Sequence, residues 1–219
     1  MIENIKAKTY RKKASRTFRT VKTGCAQDAI GKLKHGEDVY ILTYGQFSLI
    51  DALFAIVDQT GPADVVLSSW TTASAHLEHV DHMMSASQVR SLRMIVDRSF
   101  RSRQPAYHRR MRELFSQDCI RALRSHSKFM VITNDEWKIV VRTSMNLNEN
   151  PRLENIEITD DPSFASFMLK IVDEIFDIVE PDCDMSDLPD IPEDTTYNLA
   201  DVKPLLFETL TIPETTHVV

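Results

Sequence analysis

Apolar positions along this chain fall into two rhythms. Short dense runs at Val39–Leu42, Ala63–Leu67 and Leu92–Val96 have the length and β-branched content of strands buried in a sheet. Between the first two, Ile50, Leu53, Phe54 and Val57 recur at helical spacing until Gly61-Pro62 breaks the pattern. A short helix is expected from Ala26 to Leu33, stopped by Lys34-His35-Gly36, and another over residues 73–85. Pro105 suits the first turn of a helix with Tyr107, Met111, Leu114 and Phe115 on one face and Arg109, Arg110 and Arg112 pointing away. Ile120–Leu123 predicts a short strand. Phe129–Ile132 and Ile139–Val141 predict a hairpin around Asn134-Asp135. Asp161-Pro162 opens a last helix, whose buried stripe is Phe164, Phe167, Met168, Ile171 and Ile175. Strands alternating with helices predict an α/β fold, and the hairpin makes its sheet mixed, flanked by helices.

Composition changes this picture little, but charge changes it more. A length of 219 residues supports one core of ordinary size. No run approaches the 18 or so apolar residues of a membrane span, and the start is too polar for a signal segment. The cysteines, Cys25, Cys119 and Cys183, form no CxxC pair, which argues against a disulfide scaffold or thiolate zinc site and suggests a cytoplasmic home. The net charge of -6 conceals strong segregation. Residues 1–36 carry ten Lys or Arg against Glu3 and Asp28, and residues 89–128 carry eleven against three acids. From Asp173 onward thirteen acids face the single base Lys203. Three segments are therefore expected: a basic arm over 1–36, a catalytic-size domain over 37–178 and an acidic tail over 179–219. Tyr197, Leu199, Val202, Leu205, Leu206 and Phe207 make that tail too apolar to be only solvating. The basic stretches suit a polyanion, DNA above all, with an attraction that weakens in salt. Arg98, Arg101 and Arg103, in an expected loop at a strand end, are the phosphate-binding candidates, with Lys12, Lys13 and Arg16 on the arm.

The densest chemical signal is Ser125-His126-Ser127-Lys128, followed by Thr143-Ser144-Met145-Asn146 and Asn155-Ile156-Glu157. If residues 124–132 are extended, His126 and Lys128 emerge on one face, and Ser144 and Asn146 share a face by the same parity. Hairpin pairing would bring all four to one sheet edge. These groups suit attack on a phosphodiester. Imidazole is a nucleophile or proton carrier near neutrality, lysine supplies a point charge, and serine and asparagine donate hydrogen bonds to phosphate oxygens. Glu157 is a candidate to fix the imidazole tautomer, as the acid of a protease triad does. No metal or other cofactor is required. His76, His79 and His82 lack a partner acid at a diagnostic spacing, Cys119 fits a small buried apolar residue, His108 is expected to be exposed, and Trp70 and Trp137 are expected to pack.

His-x-Lys followed by Ser-x-Asn and a downstream acid resembles the signature of the phospholipase D superfamily, over roughly residues 37–178. The eleven-residue step from Asn146 to Glu157 is similar to that family's acidic partner. The resemblance implies a phospholipase D-like fold and a metal-independent phosphodiesterase, here a nuclease, working through a covalent phosphohistidine at His126. It also implies a second His-Lys motif across the pocket. This chain has no internal repeat, so a homodimer is expected to supply it. Two positions depart from the pattern: Thr133 replaces an aspartate and Thr143 a glycine, and Lys128 to Asn146 is three residues longer than usual. These departures leave an alternative open, a catalytically inactive DNA-binding or assembly protein of the same fold.

Overall fold

Helix boundaries follow from local capping chemistry. The computed structural model describes residues 15–69, 74–147 and 152–181, all within one compact unit, Met1–Pro189. Its elements run β1 (Ser15–Val21), α1 (Ala26–Ile30), β2 (Glu37–Thr43), α2 (Leu49–Thr60), β3 (Ala63–Ser69), α3 (Ser74–Ser85) and β4 (Val89–Asp97). Then come α4 (Phe100–Arg103), α5 (Pro105–Leu114), β5 (Ile120–Leu123), β6 (Phe129–Thr133), β7 (Lys138–Thr143), β8 (Glu154–Asp160) and α6 (Pro162–Ile178). Ser48 and Asp51 start α2 with a capping box, the Ser48 hydroxyl accepting from Asp51 N at 3.1 Å and the Asp51 carboxylate from Ser48 N at 2.7 Å. Gly61, at φ 80°, ends the helix by donating its N–H to Val57 O. Asp161 starts α6 by accepting from Ser163 N and Phe164 N, with Pro162 at the first helical position.

The eight strands form one mixed sheet in the order β1-β2-β8-β7-β6-β3-β4-β5. β1 pairs parallel with β2, and β3, β4 and β5 run parallel to one another. The pairs β2–β8, β8–β7, β7–β6 and β6–β3 are antiparallel. The central strands are covered on both faces, which explains their continuous apolar runs. Val65, Leu67, Met94, Ile132, Ile139 and Ile158 join the larger core under α1, α2, α3 and α5. The alternate residues Val66, Ile95, Val131 and Val140 meet Ala165, Val172 and Ile175 of α6 on the other face. Each such fully buried side chain contributes about 1.5–3 kcal/mol, so a charge at Val172 would detach α6.

Several details differ from the sequence expectations. The segment read as a basic arm contributes an edge strand, β1, ahead of the expected helix α1. His108 is 1% exposed and lies edge-on to Phe100 of α4, and Arg112 is 8% exposed, on a helix that packs against α3 and α4. On α6 the deepest positions are Ala165, Val172 and Ile175, while Phe164, Phe167, Met168 and Ile171 are half-buried at the margins. Residues 125–128 are not part of a strand, which starts at Phe129. No described helix is long and apolar enough to cross a membrane.

Candidate active site

Strand direction brings the chemistry to one edge of the sheet. β2, β3, β4, β5 and β7 end there, at Thr43, Ser69, Asp97, Leu123 and Thr143, while β6 and β8 begin there, at Phe129 and Glu154. The segment from β5 to β6 must cross the ends of β4 and β3, and it is tied down along the way. Ser125 N donates to Asp97 Oδ2 at 3.0 Å, and the Ser68 hydroxyl donates to Ser127 O at 3.1 Å. Thr143 N then donates to Lys128 O at 3.2 Å, carrying the β6–β7 pairing one residue beyond the strands. His126 and Lys128 are thus displayed from an anchored crossing segment rather than from a strand face.

His126 is exposed and Lys128 half-buried. The Lys128 ammonium lies 3.5 Å from His126 Nδ1 and donates to the His126 carbonyl at 3.2 Å. Burial pushes the Lys128 pKa down, and the nearby Glu154 carboxylate works against that shift. Ser144 follows β7 and donates its hydroxyl to the Glu154 carboxylate in a short hydrogen bond. That hydroxyl also accepts from Asn155 N at 3.0 Å. Ser144 N donates to Asn155 O at 3.2 Å, so segments 126–128, 143–146 and 154–155 lie side by side. Asn146 accepts from Leu49 N at 3.3 Å through its backbone carbonyl, which ties it to the start of α2. Its Oδ1 is buried without a hydrogen-bond partner, an arrangement that costs about 1–3 kcal/mol unless a ligand supplies the missing bond.

The structure gathers His126, Lys128, Ser144 and Asn146 at this edge and sends Glu157 elsewhere. Along β8, Ile156 and Ile158 point into the larger core, so Glu157 must project from the opposite face. There it pairs with Arg142, its partner across the β7–β8 ladder, and Arg142 lies over the Phe164 ring of α6. The acid beside Lys128 and Ser144 is Glu154, which is 9% exposed. Sequence spacing missed it, although parity with Ile156 and Ile158 marks it as belonging to the other face.

The two motif departures have clear places. The Thr143 hydroxyl donates to Asn155 O at 2.6 Å and accepts from Met145 N at 2.9 Å, holding the bend that presents Ser144. Thr133 ends β6 at the far edge, and Asp135 is exposed in the hairpin turn beyond it, so neither brings a carboxylate to His126. Asp97 is the second acid at this edge. Burial raises its pKa, but hydrogen bonds from the Ser99 hydroxyl, Ser125 N and Ser99 N, with the Arg103 charge, outweigh this and leave it low.

Among the phosphate-binding candidates, Arg98, Arg101 and Arg103 follow β4 at the site edge. Arg98 is exposed, and its backbone N donates to Leu123 O, while Arg103 Nε donates to the Ser99 hydroxyl at 2.9 Å. Arg16 sits at the other edge, its Nε 2.9 Å from the carboxylate of Asp38 at the start of β2. Lys12 and Lys13 lie outside the described residues, as do Trp70 and everything beyond Pro181. A small hollow between Leu33, Lys34, Glu37, Trp137, Ile158 and Asp160 also lies at that other edge. There His35 stacks on Trp137 at 3.8 Å, and Asp160 accepts from His35 Nδ1, Gly36 N and Lys138 N, which is a closed packing arrangement. Among the described residues no cluster of three His, Cys, Asp or Glu is placed to hold a metal ion.

No family model matches this sequence, and no curated protein matches it. Among solved structures the chain is similar to Nuc from Salmonella typhimurium, a phospholipase D family member, at 13% identity and a TM-score of 0.49, covering 66% of this chain and 97% of that one. It is also similar to NucT from Helicobacter pylori, at 14% identity and a TM-score of 0.45, covering 60% and 91%. Polyphosphate kinase from Porphyromonas gingivalis is similar at 13% identity and a TM-score of 0.47, covering 66% of this chain and 27% of that one. The chemistry of the site therefore rests on its own residues.

Proposed function

We propose that this chain is a nuclease that hydrolyses phosphodiester bonds of DNA through a phosphohistidine at His126. The observation that carries this reading is the convergence of His126, Lys128, Ser144 and Asn146 on one sheet edge beside the buried carboxylate of Glu154. In the first step the neutral imidazole of His126 attacks phosphorus, an N–P bond forms, and the bond from phosphorus to the leaving oxygen breaks. Lys128 takes up charge on the non-bridging oxygens, the Asn146 amide N–H donates to one of them, and the Ser144 hydroxyl can donate to another only by leaving Glu154. The departing oxygen takes a proton from a second imidazole, and water then hydrolyses the phosphohistidine. An imidazole that carries phosphorus cannot be the acid in the same step. The second group is therefore His126 of another copy of the chain, in a twofold dimer with a shared cleft. Arg98, Arg101 and Arg103, at the same edge, suit the flanking phosphates of a polyanion.

One observation favours the nonenzymatic alternative: Lys128 and Ser144 are already engaged by acceptors of the chain itself. Transfer of label from a phosphodiester substrate onto His126 separates the readings. H126A should lower turnover by about 10³-fold or more while leaving DNA affinity nearly intact, and Lys128→Ala should weaken both. Activity should persist in excess EDTA and fall as salt rises. Wild-type turnover in H126A would refute the mechanism.

A further inference from the structure

The segment that carries His126 contains no regular structure, so its shape depends on the bonds that tie it to the strand ends. The bond nearest the imidazole on the N-terminal side is made by Asp97, the last residue of β4. Its Oδ2 accepts from Ser125 N at 3.0 Å, one residue before His126. Its Oδ1 accepts from Ser99 N at 2.9 Å and from the Ser99 hydroxyl in a short bond. The Ser99 oxygen in turn accepts from Arg103 Nε at 2.9 Å. Beside this chain of contacts, Arg98 N donates to Leu123 O at 2.8 Å, which fixes the start of the crossing segment to the same strand end. A carboxylate that accepts several N–H and O–H bonds is a stiffer clamp than a neutral acceptor, because each bond is charge-assisted.

We propose that Asp97 is a positioning residue for His126, and that through Ser99 and Arg103 it links the arginine-rich turn after β4 to the segment bearing the imidazole. The inference rests on the reading of His126 as the nucleophile. A phosphate that engages the Arg103 guanidinium competes with the Ser99 oxygen for its N–H. Ser99 then readjusts on Asp97, and the Asp97–Ser125 bond passes that change to the backbone next to His126. Binding of a polyanion at the arginines and alignment of the imidazole are thereby coupled through the side chains of Arg103, Ser99 and Asp97 and the backbone N–H of Ser125.

The test uses the full-length protein with Asp97→Ala, Asp97→Asn and Ser99→Ala. Two properties are measured: the side-chain ¹H–¹⁵N signals of His126, assigned by their loss in H126A, and kcat and KM on a labelled oligonucleotide. Asp97→Ala should displace the His126 signals and lower kcat by about 10–100-fold with KM within about twofold, since a misplacement near 1 Å costs that much. Asp97→Asn keeps an acceptor for Ser125 N and should recover most of both. Inorganic tripolyphosphate should shift the His126 signals of the wild type and much less those of Ser99→Ala, which keeps the Asp97–Ser125 bond but cuts the hydrogen-bonded link to Arg103. A folded Asp97→Ala protein with His126 signals and kcat unchanged would overturn the positioning role, as would an Asp97→Asn protein as impaired in both as Asp97→Ala. Equal tripolyphosphate shifts in wild type and Ser99→Ala would overturn the coupling. If the wild type cleaves nothing, the phosphodiesterase reading falls, and the His126 signals still decide whether Asp97 positions that imidazole.

Discussion

Two glutamates compete for one role, and replacing each in turn decides between them. Glu154 is 9% exposed, receives the Ser144 hydroxyl and acts on the Lys128 charge. Glu157 lies on the α6 face against Arg142, with the two side chains 27% and 43% exposed. Glu154→Ala removes a hydrogen bond to a charged group, worth about 1.5–3 kcal/mol, and leaves the Ser144 hydroxyl without that acceptor. At about 2–4 °C per kcal/mol for a domain of this size, Tm should fall by roughly 3–12 °C. Glu154→Gln keeps an acceptor but loses the charge that holds the Lys128 pKa up against burial. The Lys128 pKa therefore drops further, and the alkaline limb of the rate profile should move to lower pH. Glu157→Gln removes a partly exposed ion pair worth about 0–1 kcal/mol, so Tm should barely move and turnover should stay within about twofold. Initial rates on bis(p-nitrophenyl) phosphate across pH, with thermal unfolding of each variant, make the comparison. If Glu157→Gln lost turnover while Glu154→Gln kept the wild-type rate and pH profile, the assignment of the site acid from strand parity would be wrong.

Three further outcomes follow from features away from that pair. All three guanidinium nitrogens of Arg112 are buried without hydrogen-bond partners, so Arg112→Met should leave stability unchanged or raise it by about 1–4 kcal/mol, read as a higher Tm. Gly31 ends α1 at φ 65°, and a Cβ there would sit 2.4 Å from the Arg19 Nη1 that donates to the Ala29 and Ile30 carbonyls. Gly31→Ala should therefore cost about 1–2 kcal/mol in denaturant unfolding. Asp97 has a folded-state pKa below its unfolded value. Its contribution is full above the unfolded value and is lost as pH falls through the folded one, so the stability gap between wild type and Asp97→Asn should shrink on acidification.

The fold was legible where one physical signal dominated. Dense apolar runs marked β3 and β4 because strands covered on both faces need no polar alternation, and β2 was marked by its apolar run although only Val39 and Ile41 enter a core. Asp161-Pro162 and Gly61-Pro62 marked helix ends because capping is local chemistry. β1 was less legible, since Arg16, Phe18 and Thr20 on its exposed face and the half-buried Arg19 have the composition of a basic surface until pairing with β2 is known. His108 and Arg112 misled because a polar helix face predicts exposure unless neighbouring helices pack against it, and α5 packs against α3 and α4. At the site, His126, Lys128, Ser144 and Asn146 were legible as residue types. Their support by Ser68, Asp97 and Glu154 was not, because it depends on which strand ends meet at one edge.

The spacing between Lys128 and Asn146 is set by hairpin geometry. In the β6–β7 hairpin Phe129 lies opposite Arg142 and Thr133 opposite Lys138, with residues 134–137 as the turn. The turn is closed by Asn134, whose Oδ1 accepts from Glu136 N and Trp137 N and whose Nδ2 donates to Thr60 O at 2.8 Å. Residues added to such a hairpin lengthen its closed end, five residues of β6 away from the site. The open end keeps its own register through Thr143 N and Lys128 O, so Lys128 and Ser144 stay near one another whatever the turn length. By the same geometry neither position 133 nor Asp135 can supply a carboxylate to the site, since both belong to the closed end. The carboxylates within reach of the site must come from other strands, and β8 and β4 deliver Glu154 and Asp97. Site chemistry in this fold is thus set by the open ends of strands and hairpins, and linear spacing within a hairpin is a poor measure of it.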